Sequence, residues 1–230
     1  MTNRIDALFC SLGRLCFRFR DSLVPLVVIA ILLTTRREHF MLDRALDLPM
    51  DTVGFVLLML GLAIRLRVAA SVTIRRSGMS RRIAARQLVR SGLYAHTRNP
   101  LYVANGLQII GLALIYDSRW VWAIVVPVLM LGVRSLVYAE EAFLAPRFGA
   151  VYDEYRAAVP RFWPHLHGVS ASLAGCRLDW RRAVRREHGT VFAVVSTALM
   201  LIAAERVARD GLVAAASSVR TVASAWVCCA

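Results

Sequence analysis

The sequence predicts an all-α membrane protein, a polytopic helical bundle of about five membrane segments with cytoplasmic loops and one amphipathic helix. Hydrophobic residues make up 58% of the 230 residues, and the mean hydropathy is +0.55. One aqueous core of this size could not bury so much apolar surface. The basic residues are all arginines and lie between the apolar runs, where such residues set the orientation of membrane helices.

The apolar runs give the predicted segments in order. Residues 1–21 alternate apolar side chains with arginines and predict a short segment on the membrane surface. Arg65 and Arg67 interrupt the second apolar run, and we expect them to reach the lipid headgroups. The first and last runs are shorter than the ~20 residues of a full span. The predicted segments are residues 22–35, 52–74, 101–116, 120–139 and 190–204.

A tight turn at Asp117-Ser118-Arg119 joins the third and fourth runs, so the sequence predicts an antiparallel helical hairpin. Gly106 and Gly111 would allow close helix approach. The open end of the hairpin would bring Arg134 and the Glu140-Glu141 pair to the level of the Arg98-Asn99-Pro100 loop. This juxtaposition is the central structural expectation.

The charge pattern predicts the orientation of the loops. Seven arginines and no acid lie between Arg75 and Arg98, which places this loop in the cytoplasm of a bacterial inner-membrane protein. Residues 142–189 are also arginine-rich and are assigned to the same side. Within them, residues 179–189 predict a basic amphipathic helix that begins at Asp179, ends at Gly189 and lies on anionic lipids. The expected organisation is an N-terminal part (1–51), a membrane core (52–164) and a C-terminal extension (165–230).

Composition also bears on partners. A net charge of +14 could indicate nucleic acid, but membrane topology and anionic lipids explain arginines placed between apolar spans, so no nucleic-acid partner is predicted. The five cysteines have no Cys-x-x-Cys spacing and are expected as free thiols. The histidines have no ligand spacing, so no metal site is predicted. His96 is expected at the surface or the membrane interface.

The stretch from Gln87 to Tyr102 is the best candidate for a ligand-gripping loop. Pro100 suits the first turn of a helix, and Gly92 permits a tight bend before it. The unpaired N–H groups of a helix N-terminus attract a carboxylate or phosphate. The local residues equally fit a basic loop at the membrane edge.

Charged side chains on the fourth run form a second candidate group. Arg134, Tyr138 and Glu141 are spaced i, i+4 and i+7 and share one helix face. A charge within a membrane helix is costly and usually marks a partner or ligand.

Two spaced motifs flank the predicted hairpin. They are Leu88-Val89-x-x-Gly92-x-Tyr94-x-x-x-Arg98-Asn99-Pro100-x-Tyr102 and Glu140-Glu141-x-x-Leu144-x-x-x-Phe148-Gly149-x-x-Tyr152-x-x-Tyr155-x-x-x-Val159-x-Arg161-Phe162-x-Pro164. Together they resemble the isoprenylcysteine carboxyl methyltransferase and phospholipid methyltransferase superfamily over roughly residues 50 to 164. The resemblance implies an integral-membrane enzyme that binds S-adenosylmethionine from the cytosol and methylates a lipophilic substrate.

The resemblance also implies roles for residues. A glutamate would hold the cofactor ammonium or ribose hydroxyls, loop N–H groups would hold its carboxylate, and Arg134 would orient the acceptor. Arg134 and Glu141 are the implied catalytic residues, and Arg134 and Tyr138 the implied substrate contacts. The implied cofactor contacts are Leu88, Val89, Tyr94, Arg98, Asn99, Pro100, Leu101, Tyr102, Glu140 and Glu141.

Two positions differ from the usual pattern. Asn99 replaces a histidine of the superfamily's Arg-His-Pro motif, and it keeps donor and acceptor capacity without titrating. Tyr138 stands where the carboxyl methyltransferase branch tends to carry an acid. Both differences affect the acceptor more than the cofactor. The acceptor therefore stays open between a carboxylate such as an isoprenylcysteine-like group and a lipid amine, and the motifs do not specify an oligomeric state.

Two other classes of protein are alternatives. Membrane sterol-type reductases, which use NADPH, resemble the same Arg-His-Pro-x-Tyr pattern, but they typically carry Asn before the Tyr and an acid two residues after it, where this chain has Leu101 and Ala104. A non-enzymatic membrane scaffold is the other alternative, and it would bind neither cofactor.

Overall fold

The computed structural model describes residue 11 and residues 47–71, 87–174 and 178–201. The predicted surface segment 1–21, apart from residue 11, and the predicted span 22–35 lie outside these residues. The chain divides into two units, residues 1–188 and residues 189–230. In the described ranges every regular element is a helix, and the only extended pairing is an isolated antiparallel bridge between Ser71 and Leu178.

Six α-helices follow one another along the described chain. Two shorter helical segments accompany them, a 3₁₀ turn at Gly92–Ala95 and a π-helix at Val121–Val125 that leads directly into α3. The α-helices are α1 Asp47–Ala70, α2 Pro100–Tyr116, α3 Val126–Phe148, α4 Ala150–Ala158, α5 Val169–Ala174 and α6, residues 180–201.

Two helical stretches are long and apolar enough to cross a membrane: Pro49–Ala70, with 22 residues, and Val121–Phe148, with 28 residues. Only 39% and 17% of their most apolar windows are buried within the protein, so most of these side chains face outward. Outward-facing apolar side chains are expected in lipid and unfavourable in water. The apolar helix α2 is shorter, with 17 residues. The all-helical class is thus confirmed for the described chain, with two helices that could cross a membrane, and the count of five spans remains a prediction.

Helices α1 and α2 pack most extensively, and small residues bring them together. A Cβ on Gly54 would lie 2.7 Å from the Gly111 carbonyl oxygen, and a Cβ on Gly61 would lie 2.7 Å from that of Ala104. Position 54 therefore faces 111 while position 61 faces 104, so the two helices are antiparallel. The predicted role of Gly111 in close packing is confirmed. Gly106 instead faces Met130 at an ordinary contact distance of 3.7 Å.

The predicted turn ends α2 as expected. Asp117 adopts a left-handed conformation with φ of 36° and closes the helix with a hydrogen bond from its N–H to the Ala113 carbonyl. The expected end of the next helix at Ala139 is wrong, because α3 continues to Phe148. Glu140 and Glu141 therefore lie well within the helix, which agrees with the predicted helix face shared by Arg134, Tyr138 and Glu141. Arginines packed around Glu141 offset the cost of burying its charge there.

Helix α6 begins as predicted and continues further than predicted. The Asp179 carboxylate accepts a hydrogen bond of 2.9 Å from the N–H of Arg182, which is a helix N-cap. The predicted end at Gly189 is wrong, since the helical backbone continues to residue 201. Gly189 is tolerated inside the helix at a cost of about 1 kcal/mol relative to alanine.

Arg65 does not serve as the headgroup anchor that the sequence suggested. Its guanidinium donates two hydrogen bonds to Glu187 of α6, at 3.0 and 2.7 Å, and a third to Asn105 of α2. Arg67 likewise donates to the backbone carbonyl of Leu173. Both arginines therefore tie the C-terminal part of the first unit to α1. Sequence periodicity gives no signal for a partner 122 residues away.

Candidate functional site

Glu141 forms the centre of a buried charged cluster where α2 begins. Its side chain is 10% exposed and accepts hydrogen bonds from Arg161 Nε and Nη2 at 3.2 and 2.8 Å. Asn99 Nδ2 donates to Glu141 Oε1 at 3.4 Å, and Arg98 Nη1 lies 3.5 Å from the same oxygen. The expected meeting of the two motifs therefore occurs at this carboxylate.

Asn99 contacts both the Glu141 carboxylate and the segment that follows α4. It is the N-cap residue of α2, and its side-chain amide also donates to the backbone carbonyl of Arg161 at 3.2 Å. The Thr97 hydroxyl donates to the same carbonyl and to that of Phe162, at 3.3 and 3.2 Å. Pro100 occupies the first turn of α2, as the sequence predicted. The segment after α4 thus closes on the loop before α2.

Arg98 is the member of the cluster with unused hydrogen-bonding capacity. Its side chain is 10% exposed, yet its Nε and Nη1 atoms are buried without a hydrogen-bond partner among the described residues. Two arginines face one carboxylate, so positive charge is in excess here. Buried donors of a cation are costly to leave unmet, and an anionic ligand could satisfy them.

The loop before the cluster packs onto α1. Gly92 has a φ of 64°, which confirms the predicted bend. Tyr94 is buried against Val68, and the half-buried side chains of Val89 and Leu101 pack on the same pair. Three of the implied cofactor contacts therefore contribute to an apolar cluster.

A second pair of predicted residues lies on the exposed side of the cluster. The Arg134 guanidinium carbon is 5.7 Å from the ring centroid of Tyr138, and Arg134 Nη2 is 3.5 Å from its hydroxyl. The Arg161 guanidinium carbon lies 4.6 Å from the same ring. Tyr138 thus links Arg134 to the residue that holds Glu141.

His96 is buried, and the expectation of a surface or interfacial position is wrong. Its Nδ1 donates to the His165 carbonyl at 2.7 Å, and its Nε2 lies 2.9 Å from the Ser172 hydroxyl. The N–H of His165 donates to the His96 carbonyl in return. This contact could not be predicted, because no pattern of residue types links positions 96, 165 and 172.

The remaining predicted residues take peripheral positions. Leu88 and Tyr102 are half-buried, Leu88 before the 3₁₀ turn and Tyr102 in the first turn of α2. Glu140 is half-buried and projects about 100° around α3 from Glu141. The sequence analysis missed Arg161 as a site residue. The Arg161-Phe162-x-Pro164 end of the second motif was its available signal.

Burial changes the ionisation of groups near the cluster. Burial, followed by the Glu141 charge, raises the pKa of Tyr152 to about 12. Burial likewise raises the pKa of Tyr155, whose hydroxyl donates to the Tyr94 carbonyl at 2.7 Å. For Arg161, burial opposes the charged form, but the Glu141 carboxylate outweighs it and raises the pKa. Both tyrosines are therefore neutral, and Arg161 is a fixed cation.

Comparison with models of known protein families gives a match within this chain. Residues 50–151 match the family model described as phospholipid methyltransferase. The match confirms the superfamily resemblance carried by the two motifs. The matched residues include α2, α3 and almost all of α1.

Two curated relatives share parts of the sequence. The cobalt-zinc-cadmium resistance protein CzcN of Cupriavidus metallidurans is 38% identical over 79 residues, which are 34% of this chain and 36% of the relative. The nickel-cobalt-cadmium resistance protein NccN of Alcaligenes xylosoxydans xylosoxydans is 27% identical over 150 residues, 65% of this chain and 66% of the relative. The chain spans less than two thirds of either relative. No solved structure matches the chain significantly.

Proposed function

We propose that the protein is an integral-membrane methyltransferase that uses S-adenosylmethionine to methylate a lipophilic acceptor. The observation that carries this proposal is that Arg98 has two buried donor atoms without a hydrogen-bond partner among the described residues, beside the Glu141 carboxylate that residues of both motifs contact. A cofactor with a carboxylate at one end and an ammonium and hydroxyls nearby matches this pairing of charges. The phospholipid methyltransferase match supports the same reaction class.

The described residues fit the cofactor as follows. Arg98 Nε and Nη1 would bind its carboxylate, helped by the positive end of the α2 dipole. Among the described residues, Glu141 Oε1 accepts hydrogen bonds from Asn99 Nδ2 and Arg161 Nε, whereas Oε2 accepts one, from Arg161 Nη2. Since a carboxylate oxygen accepts about two hydrogen bonds, Oε2 would accept from the cofactor ammonium or a ribose hydroxyl.

This arrangement divides the tasks of catalysis among the residues. When bound, S-adenosylmethionine supplies an activated methyl group on a sulfonium, which needs no metal to leave. The protein orients the reactants and removes water. Glu141 holds Arg98 and Asn99 in place, while Arg134 and Tyr138 would orient the acceptor. An acceptor carboxylate suits Arg134 best, and a lipid amine is the second possibility.

The proposed location is the bacterial inner membrane with the site facing the cytoplasm. The arginine-rich residues between α1 and α2 support this orientation, because basic loops are retained on the cytoplasmic side. The acceptor would then enter from the lipid, and the cofactor from the cytosol.

Parallel titrations test the proposal. Detergent-solubilised protein is titrated calorimetrically with S-adenosylmethionine, its demethylated product S-adenosylhomocysteine, and NADPH. We expect binding of the first two only, and Glu141→Gln to weaken it about 30-fold or more, because the substitution removes the charge that organises the cluster. The matched control is Glu154→Gln, whose side chain is 79% exposed, and it should bind like the wild type. Binding of NADPH alone would favour a reductase, and binding of no cofactor would favour a scaffold.

A further inference from the structure

Arg161 contacts both the charged cluster and the aromatic ring beside it. Its guanidinium donates two hydrogen bonds to Glu141, and its guanidinium carbon lies 4.6 Å from the centroid of the Tyr138 ring. Its backbone carbonyl accepts hydrogen bonds from Asn99 and Thr97. One residue therefore touches the cofactor side and the acceptor side of the proposed site.

The chemistry of arginine suits this double contact. A planar guanidinium can donate a fork of two hydrogen bonds along its edge while its face stacks on an aromatic ring. The Glu141 fork holds the edge of the Arg161 guanidinium, and the Tyr138 ring lies against the group. A shift of the ring would therefore move or release the guanidinium. Lysine could keep the charge, but not the fork or the stacking.

Tyr138 is also placed to respond to an acceptor. Its ring lies between Arg161 and Arg134, whose guanidinium carbon is 5.7 Å from the centroid. An acceptor held by Arg134 would meet this ring directly. Contacts that share one network have non-additive energies, and coupling between two sites acts equally in both directions.

We propose that Arg161 is a positioning residue that couples the two halves of the site: it fixes the Glu141 carboxylate for the cofactor, and its own position depends on the Tyr138 ring that borders the acceptor. This inference rests on the proposed function. It predicts that a change at Tyr138 alters cofactor affinity only while Arg161 is present.

A double-mutant cycle tests the coupling, with calorimetric affinity for S-adenosylhomocysteine as the readout. We expect Arg161→Gln to weaken binding about tenfold and Arg161→Lys about threefold, since lysine restores the charge alone. Tyr138→Leu should weaken binding about fivefold in the wild-type background and less than about twofold in the Arg161→Gln background. A residue that only supports folding would lower stability in both backgrounds without this selective loss of coupling.

Phe143→Leu is the matched control. Phe143 lies on α3, as Tyr138 does, and its ring also has an arginine beside it, since the guanidinium carbon of Arg147 is 5.9 Å from the ring centroid. The substitution should change affinity less than about twofold in either background, because Phe143 has no part in the network.

The outcomes separate the inference from the proposed function. Equal losses for Tyr138→Leu in both backgrounds would overturn the coupling while leaving the methyltransferase intact. A wild-type protein that binds no S-adenosylhomocysteine would overturn both. If Arg161→Gln does not fold, the cycle is run with Arg161→Lys, where we expect the Tyr138→Leu loss to fall to about twofold. An undiminished fivefold loss there would again overturn the coupling.

Discussion

Two buried glutamates of this protein make ion pairs of different kinds. Glu141 and Glu187 are 8% and 7% exposed, and each accepts two hydrogen bonds from an arginine. At the Glu187 pair each guanidinium nitrogen of Arg65 has an acceptor, because Nε and Nη2 donate to Glu187 and Nη1 donates to Asn105. Around Glu141 a second arginine, Arg98, retains two buried donor atoms without a hydrogen-bond partner in the part of the chain that the structure describes.

The difference indicates what each pair does. A buried ion pair whose hydrogen bonds are satisfied holds helices together and gives a ligand nothing to bind. A cluster with surplus cationic donors carries a cost that a ligand can remove. The Glu187 pair also joins α6 to the core from outside the family match, which ends at residue 151, whereas Glu141 lies within it. We therefore expect a structural role for Glu187, and the contrast supports the binding role proposed for Glu141.

The largest expected effect is on stability at the Glu187 pair. Glu187→Gln leaves the Arg65 charge buried without a counter-charge, so the free energy of unfolding should fall by about 3 to 5 kcal/mol, measured by denaturant titration in detergent. Replacing both partners, as Arg65→Met with Glu187→Met, should recover most of the loss. If Glu187→Gln were as stable as the exposed control Glu154→Gln, the structural assignment would be wrong.

The next effect is on ligand affinity at the Glu141 cluster. Arg98→Met removes the open donors, and we expect affinity for S-adenosylhomocysteine to fall about 30-fold, the value of a charge-assisted hydrogen bond or two. The Arg65→Met, Glu187→Met double variant should bind within about twofold of the wild type, because its pair is closed to ligands. If Arg98→Met and the double variant lost affinity equally, the contrast between the Glu141 cluster and the Glu187 pair would be wrong.

A smaller effect on stability is expected where α1 packs against α2, at Gly61, one helical turn before Arg65. Gly61→Ala would place its Cβ 2.7 Å from the Ala104 carbonyl oxygen and force the helices apart. We expect a loss of about 1 to 3 kcal/mol in the free energy of unfolding. Gly132→Ala is the control, since no atom of the described residues lies within 4 Å of a Cβ built there. Similar stabilities for Gly61→Ala and Gly132→Ala would contradict the close packing of α1 against α2.

The smallest effect is a pH dependence near Glu141 that the Glu187 pair should lack. The pKa of Tyr152 in the folded protein is about 12, above its ordinary value of about 10. Its stabilising contribution is therefore complete below pH 10 and is lost as the pH rises toward 12. Tyr152→Phe should flatten part of the alkaline fall in unfolding temperature, and Tyr155 should account for the rest. An unchanged profile would refute the assignment.

Local rules predicted the parts of the site that depend on neighbouring residues. The bend at Gly92, the helix start at Pro100 and the cap at Asp179 follow from residue types at the positions concerned. The meeting of Asn99 with Glu141 followed from a turn between two apolar runs. Each of these predictions needed only a short stretch of sequence.

Contacts between distant residues could not be predicted in the same way. Arg65 with Glu187, and His96 with Ser172, join positions 122 and 76 residues apart, and an arginine or histidine is compatible with many partners. The end of α3 was placed too early because the apolar run stops at Ala139, and the partners that allow Glu141 to be buried, Arg98 and Arg161, are distant in sequence. Tertiary charge compensation overrides the local signal in such cases.

The π-helix at Val121–Val125 has a consequence for insertions and deletions in this chain. Such a segment usually accommodates one residue beyond regular α geometry. Losing one residue there can be absorbed by a return to α-helical hydrogen bonding, so the rest of α3 keeps its rotation. Losing one residue between 130 and 140 has no such buffer and would turn Glu141 by about 100° away from the arginines. Length changes on this helix are therefore tolerated at its beginning and not at its middle.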